Sequence, residues 1–172
     1  GISQSLAGRT ALLRLLPPTF AELCAAGIEQ SRETWVWRGF MPRIYDQNVN
    51  ARLLYKSYFE TYVQRDVQQL INIKDQSKFE LFVRLLTGRV GQVANLQSLS
   101  NEIGVSAVTL NSWLSILEAS FIVFRLQPYY RNLGKRLVKS PKIYFTEVGL
   151  AAYLLGIQNE EQVAQHPLFG NL

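Results

Sequence analysis

The sequence predicts a mainly α protein with a small β-hairpin, built as a helical linker region plus a winged helix-turn-helix. Two observations carry that prediction. Asn95 to Ile103 and Ser106 to about Ser120 are apolar at helical spacing, and Gly104 stands between them, where two helices at a steep angle need a sharp turn. Beyond them, Phe121 to Tyr130 and Lys142 to Thr146 are rich in β-branched and aromatic residues, with the turn signal Asn132-Leu133-Gly134-Lys135 between.

In chain order, Ser3 to Leu16 begins small and polar and ends strand-like. Pro17-Pro18 closes it, and Thr19 caps a short helix running through Cys24 or Gly27. Glu29 to Asn50 contains Gly39, Pro42 and Asp46-Gln47-Asn48 and reads as loop-rich, with Trp35 and Trp37 covering a core. Arg52 to Ile73 is the longest predicted helix. Leu54, Tyr58 and Tyr62 form one apolar row on it, and Phe59, Val63, Val67 and Leu70 form a neighbouring one. So broad a stripe needs partners on two sides, as a helix joining two domains has. Ser77 to Thr87 is helix one of the module, opened by a capping box in which Ser77 and Glu80 each accept the other's backbone N–H. Val148 to Leu155 follows the hairpin as a short helix. Boundaries therefore fall at residues 1–24, 25–76, 77–150 and 151–172.

The third helix of the module has two faces at about 100° per residue. Leu110, Trp113, Leu114, Leu117 and Phe121 fall on one and are expected in the core; Val108, Asn111, Ser112 and Ser115 fall on the other and are expected in solvent. In winged helices the third helix enters the major groove and the hairpin touches phosphate. Asn111, Ser112 and Ser115 are therefore candidate DNA-binding residues: an Asn amide can read an adenine edge, and Ser hydroxyls can bond phosphate. Arg131, Lys135, Arg136 and Lys139 in the wing are candidates for the phosphate backbone.

Charge supports the wing more than the helix. The net charge is +5, and Arg125 to Lys142 carries six basic residues and no acidic one. The exposed face of the third helix carries no Arg or Lys. Two readings stay open: double-stranded DNA held by a basic wing, or a winged helix used for protein contact or interdomain coupling without DNA.

Other classes are excluded by composition. With 48% hydrophobic and 18% charged residues the chain reads as soluble, and its apolar runs are too short to span a membrane. No signal-peptide pattern opens it, which favours the cytoplasm. A lone Cys24, expected as a small buried thiol, and a lone His166 provide neither a disulfide nor a multi-ligand metal site. No catalytic residues are assigned. Gly1 in place of an initiator Met, and a C-terminus lacking a closing element, suggest a piece excised from a longer protein.

Several segments together resemble a bacterial family of predicted AAA+-type ATPases. They are Ser3-Gln4-Ser5-Leu6-Ala7-Gly8-Arg9, Leu15-Leu16-Pro17, Tyr62-Val63-Gln64-Arg65-Asp66-Val67 and Gly88-Arg89-Val90-Gly91-Gln92. Trp113-Leu114-Ser115-Ile116-Leu117-Glu118-Ala119-Ser120 and Gly134-Lys135-Arg136-Leu137-Val138-Lys139-Ser140-Pro141-Lys142 complete the set. In that family an ATPase core precedes a winged helix and a C-terminal domain of unknown function similar to restriction-endonuclease folds. The resemblance implies that residues 1–24 are the tail of the ATPase core and residues 151–172 the start of a truncated C-terminal domain.

It also implies ATP and Mg²⁺ for the parent protein and no cofactor for this chain, which has no glycine-rich loop ending in Gly-Lys-Ser/Thr. Arg9 is a nucleotide-sensing candidate, set against a plain structural role. Glu147 stands where the nuclease-like fold would place an Asp, and the rest of such a core would follow Leu172, so no DNA cleavage is expected of this chain. The implied partners are the missing ATPase core and C-terminal domain, with a second copy of the chain as a further one.

Overall fold

The structure is a computed structural model and describes residue 11 and residues 15–67, 75–129 and 141–172. The predicted turn at Asn132–Lys135 and the end of the long predicted helix beyond Val67 lie outside these residues, as does most of the segment Ser3 to Leu16.

The N-terminal half is a series of short helices. α1 (Phe20–Ala25) starts from the expected Thr19 cap, where Glu22 N–H donates to Thr19 Oγ1 at 3.3 Å and Thr19 N–H donates to Glu22 Oε2 at 2.7 Å. The stretch read as loop-rich holds two helices, α2 (Arg32–Arg38) and α3 (Pro42–Asp46). Ser31 caps α2 by accepting from Thr34 N–H at 3.1 Å, and Pro42 presets the first turn of α3. Both are under two and a half turns long, too short to register as apolar periodicity. Trp35 is buried as expected, whereas Cys24 is half-buried and not enclosed.

α4 (Ala51–Tyr58) is capped by Asn50 and continues as a π-helix over Phe59–Val67. The Thr61 hydroxyl donates to Ser57 O at 2.6 Å, and such back-bonding perturbs the regular ladder at the α-to-π junction. Among the described residues the predicted rows hold: Phe59, Val63 and Val67 are buried, with Leu54, Tyr58 and Tyr62 half-buried beside them, and Leu70 lies outside those residues.

α5 (Gln76–Thr87) begins one residue earlier than the predicted capping box. Its cap is Asp75, which accepts from Lys78 N–H at 3.1 Å; the Ser77 hydroxyl donates to the same carboxylate at 2.8 Å. Glu80 turns outward to Arg84 and to Gln64 instead of back to Ser77. An Asp at the cap accepts more strongly than Ser, and its charge opposes the helix dipole favourably. α6 (Leu96–Ile103) and α7 (Ala107–Ala119) follow, then β1 (Val123–Leu126), β2 (Lys142–Phe145) and α8 (Val148–Leu154). α9 (Glu160–Gln165) and a 3₁₀ turn (Phe169–Asn171) complete the chain.

β1 and β2 pair antiparallel, Val123 opposite Phe145 and Leu126 opposite Lys142. A third extended segment joins them: Val93 bridges to Lys142, and Gly91 N–H donates to Ile143 O at 2.8 Å. Helix, short strand, helix, turn, helix and hairpin is the order of a winged helix. The larger of two clusters of buried residues runs from Ile44 to Leu154, so the linker helix, the winged helix and α8 share one core; the smaller joins Ala152, Ile157 and Val163.

Candidate nucleic-acid interface

The interface begins with the turn between α6 and α7. Asn95 opens α6 by accepting from Gln97 N–H at 3.0 Å and Ser98 N–H at 3.1 Å. Gly104 ends it at φ 72°, a left-handed conformation that glycine adopts without side-chain strain. Ser106 then caps α7 by accepting from Thr109 N–H at 3.1 Å, and Ser100 Oγ donates to Val105 O across the corner at 2.6 Å. These bonds hold the two helices at the angle that separates a buried face of α7 from a free one.

Leu110, Trp113, Leu114 and Leu117 are buried, with Trp113 edge-on to Phe79 at 5.5 Å and tilted against Phe82 at 5.8 Å. Val108 is 78% exposed, and Asn111, Ser112 and Ser115 are exposed with it, so the structure brings the three predicted helix residues onto one solvent face. The Ser112 hydroxyl donates to Val108 O at 3.2 Å. Phe121 departs from expectation: it leaves the helix at φ 56° and is 45% exposed, because the chain reverses there to enter β1.

The candidates Arg131, Lys135, Arg136 and Lys139, and Arg9 at the other end, lie outside the described residues. One cation that reasoning on the helix alone missed is Arg125 on β1. It shares the inner side of the strand with buried Val123 and reaches back to α7, where its guanidinium donates to Glu118 Oε2 at 2.9 Å and to Ser115 Oγ at 3.2 Å. Arg125 is ten positions from Ser115, and only the antiparallel return of the strand brings them together. The other side of the sheet carries Val93, Phe124 and Leu126, all exposed, with Phe124 stacked on Tyr144 at 5.5 Å.

A second junction ties the helical region to the end of the hairpin. Glu147 is 4% exposed, and its Oε1 accepts from Phe40 N–H at 2.8 Å and from Gly149 N–H at 3.1 Å. Oε2 is buried without a hydrogen-bond partner. Burial raises the carboxyl's pKa above its ordinary value, opposed by the two backbone N–H bonds and Tyr55. Tyr55 donates to Arg38 O at 3.0 Å, and its hydroxyl is pushed far above the ordinary tyrosine range by burial first and the Glu147 charge second. The Tyr45 hydroxyl bonds Gly39 O and is pushed up to about 12, mainly by burial. Glu147 is thus a helix cap and a tie between distant segments, closed to substrate. Among the described residues no group of three His, Cys, Asp or Glu is placed to hold a metal ion, and no helix is long and apolar enough to cross a membrane.

Fold and site together define a chain of the winged-helix type with a helical region packed onto it. It belongs to the family described as a domain of unknown function, DUF8612, whose model matches residues 29–161. Uncharacterized proteins of Mycobacterium bovis and Mycobacterium tuberculosis are each 28% identical over 169 residues, covering 98% of this chain and 38% of their own length. An uncharacterized protein of Haemophilus influenzae is 23% identical over 166 residues, covering 88% of this chain and 41% of its own. The chain thus spans about two fifths of the length of the curated relatives it matches. No solved structure matches it.

Proposed function

We propose that this chain is the non-catalytic winged-helix part of a larger bacterial, cytoplasmic ATP-binding protein of AAA+ type, and that it contacts double-stranded DNA mainly through the phosphate backbone. The observation that carries the reading is the free face of α7. Asn111, Ser112 and Ser115 stand in solvent on a helix whose other side is fully packed, and Arg125 is pinned by Glu118 against Ser115 at its edge. Hydroxyl donors on this face suit a phosphate, and the exposed amide of Asn111 suits a base edge. The acid-free basic run from Arg125 to Lys142 supplies the charge. The nucleotide and its Mg²⁺ would be held by the ATPase core of the parent protein, which the resemblance of the N-terminal segments supports. The relatives' greater length is consistent with additional domains.

Fluorescence anisotropy with a labelled duplex tests the proposal. Lys135→Glu combined with Arg136→Glu should weaken binding by roughly tenfold or more, since two phosphate contacts become repulsive. Unchanged affinity would show that the wing is not on the DNA. A second reading, coupling without DNA, draws on the shared core. Gln64 Nε2 donates to Glu80 at 2.7 Å and Tyr62 donates to Ser120 O at 3.2 Å, so movement of the linker helix would be felt by α5 and α7. That reading expects no duplex binding at physiological salt.

A further inference from the structure

A cleft of about 460 Å³ opens where α1 and α2 meet the start of α8 and the C-terminal 3₁₀ turn, elements that take no part in the helix-turn-helix. Phe20, Arg32, Trp35, Phe40, Phe169 and Leu172 are among its lining residues. Much of its wall is aromatic. Trp35 and Phe40 stack at 5.5 Å with their planes 3° apart, and Phe20 meets Trp35 edge-on at 5.4 Å. Among the described lining residues Arg32 alone has a charged side chain, with its guanidinium 5.6 Å from the centre of the Phe169 ring. Among the described residues that guanidinium makes no ion pair within 4.0 Å and no hydrogen bond, so its N–H donors stay unused at the rim.

We propose that this cleft binds a small aromatic anion, its ring against the Phe20, Trp35 and Phe40 wall and its charged end on Arg32. The size is that of a small-molecule site, and such sites are apolar with one or a few polar groups that fix orientation. Flat, parallel rings favour a planar ligand, which gains offset or edge contacts with them. A guanidinium already resting on an aromatic face offers its edge to a carboxylate or sulfonate, the charge-assisted geometry that arginine makes best. A neutral ring would fill the cleft and leave that donor set unanswered.

The probes are 1-anilinonaphthalene-8-sulfonate and its uncharged relative N-phenyl-1-naphthylamine, titrated by fluorescence into the 172-residue chain. One sulfonate should bind per chain. Arg32→Gln should weaken it about tenfold and change the uncharged probe by less than about twofold, as loss of one charge-assisted contact requires. Phe124→Ser, on the exposed sheet face, should alter neither. Thermal melts of both variants should match that of the parent chain, since both side chains are exposed. Failure of the sulfonate to bind, equal affinity in Arg32→Gln, or loss of binding in Phe124→Ser would each overturn the proposal.

Discussion

Gly39→Ala probes the junction that ties the helical region to the winged helix. Gly39 closes α2 at φ 66°, ψ −159°, a region that residues with a Cβ rarely occupy, at a cost of about 1–3 kcal/mol. A Cβ there would also run into the Tyr55 hydroxyl and Glu147 Oε1 and lie 2.8 Å from Gly149 Cα. Two of those neighbours are hydrogen-bonded and the third is backbone, so relief requires moving α4 or α8, an overpacking penalty of about 1–3 kcal/mol. The sum, about 2–6 kcal/mol, is a large share of the roughly 5–15 kcal/mol that holds a typical domain folded. Gly27→Ala is the control. Gly27 also has positive φ, 81°, but nothing lies within 4 Å of its would-be Cβ, so only the backbone cost of about 1–2 kcal/mol applies. Both substitutions shrink the unfolded ensemble alike, and that effect cancels in the comparison. Urea unfolding followed by tryptophan fluorescence and by circular dichroism gives the two values. With the two backbone costs taken as equal, Gly39→Ala should be the less stable by the packing penalty of about 1–3 kcal/mol, with both probes moving together. Equal stabilities would refute the junction's tight packing, and separated transitions would refute a single shared core.

Three further substitutions address charge and the faces of α7. Burial raises the folded pKa of Glu147, so its contribution is fully present below about pH 4.5 and is lost as pH rises through the raised value; Glu147→Gln should remove that slope in urea midpoints measured from pH 4 to 8, and an unchanged slope would reject the assignment. Trp113→Ala, which empties a site between Phe79 and Phe82, should cost about 3–5 kcal/mol, while Asn111→Ala on the free face should stay within about 0.5 kcal/mol; similar losses would mean that α7 is not two-faced.

Sequence reasoning reached the features whose causes are local. Thr19, Asn95 and Ser106 cap helices through residues two or three positions away, and Gly104 turns within its own segment. The four-residue steps of the linker helix and the two faces of α7 likewise follow from spacing. What escaped it depends on contacts across the chain. α2 and α3 are held by tertiary packing around Trp35 and Ile44, not by propensity. The Val93 bridge exists only because β2 returns beside it. Glu147 finds its Phe40 donor 107 positions away, and Arg125 meets α7 only after the reversal at Phe121. Asp75 displaced Ser77 as the cap because both can serve and the stronger acceptor stands earlier.

The most direct test of DNA contact is duplex affinity measured against salt. Four or five wing cations on phosphate would give log K falling against log salt with a slope of roughly −3.6 to −4.5, and Asn111→Ala would lower affinity for a preferred duplex without changing that slope. A duplex bound with that dependence is the expected result. No binding at low salt, or a slope near zero, would contradict the account and leave the winged helix as a coupling element alone.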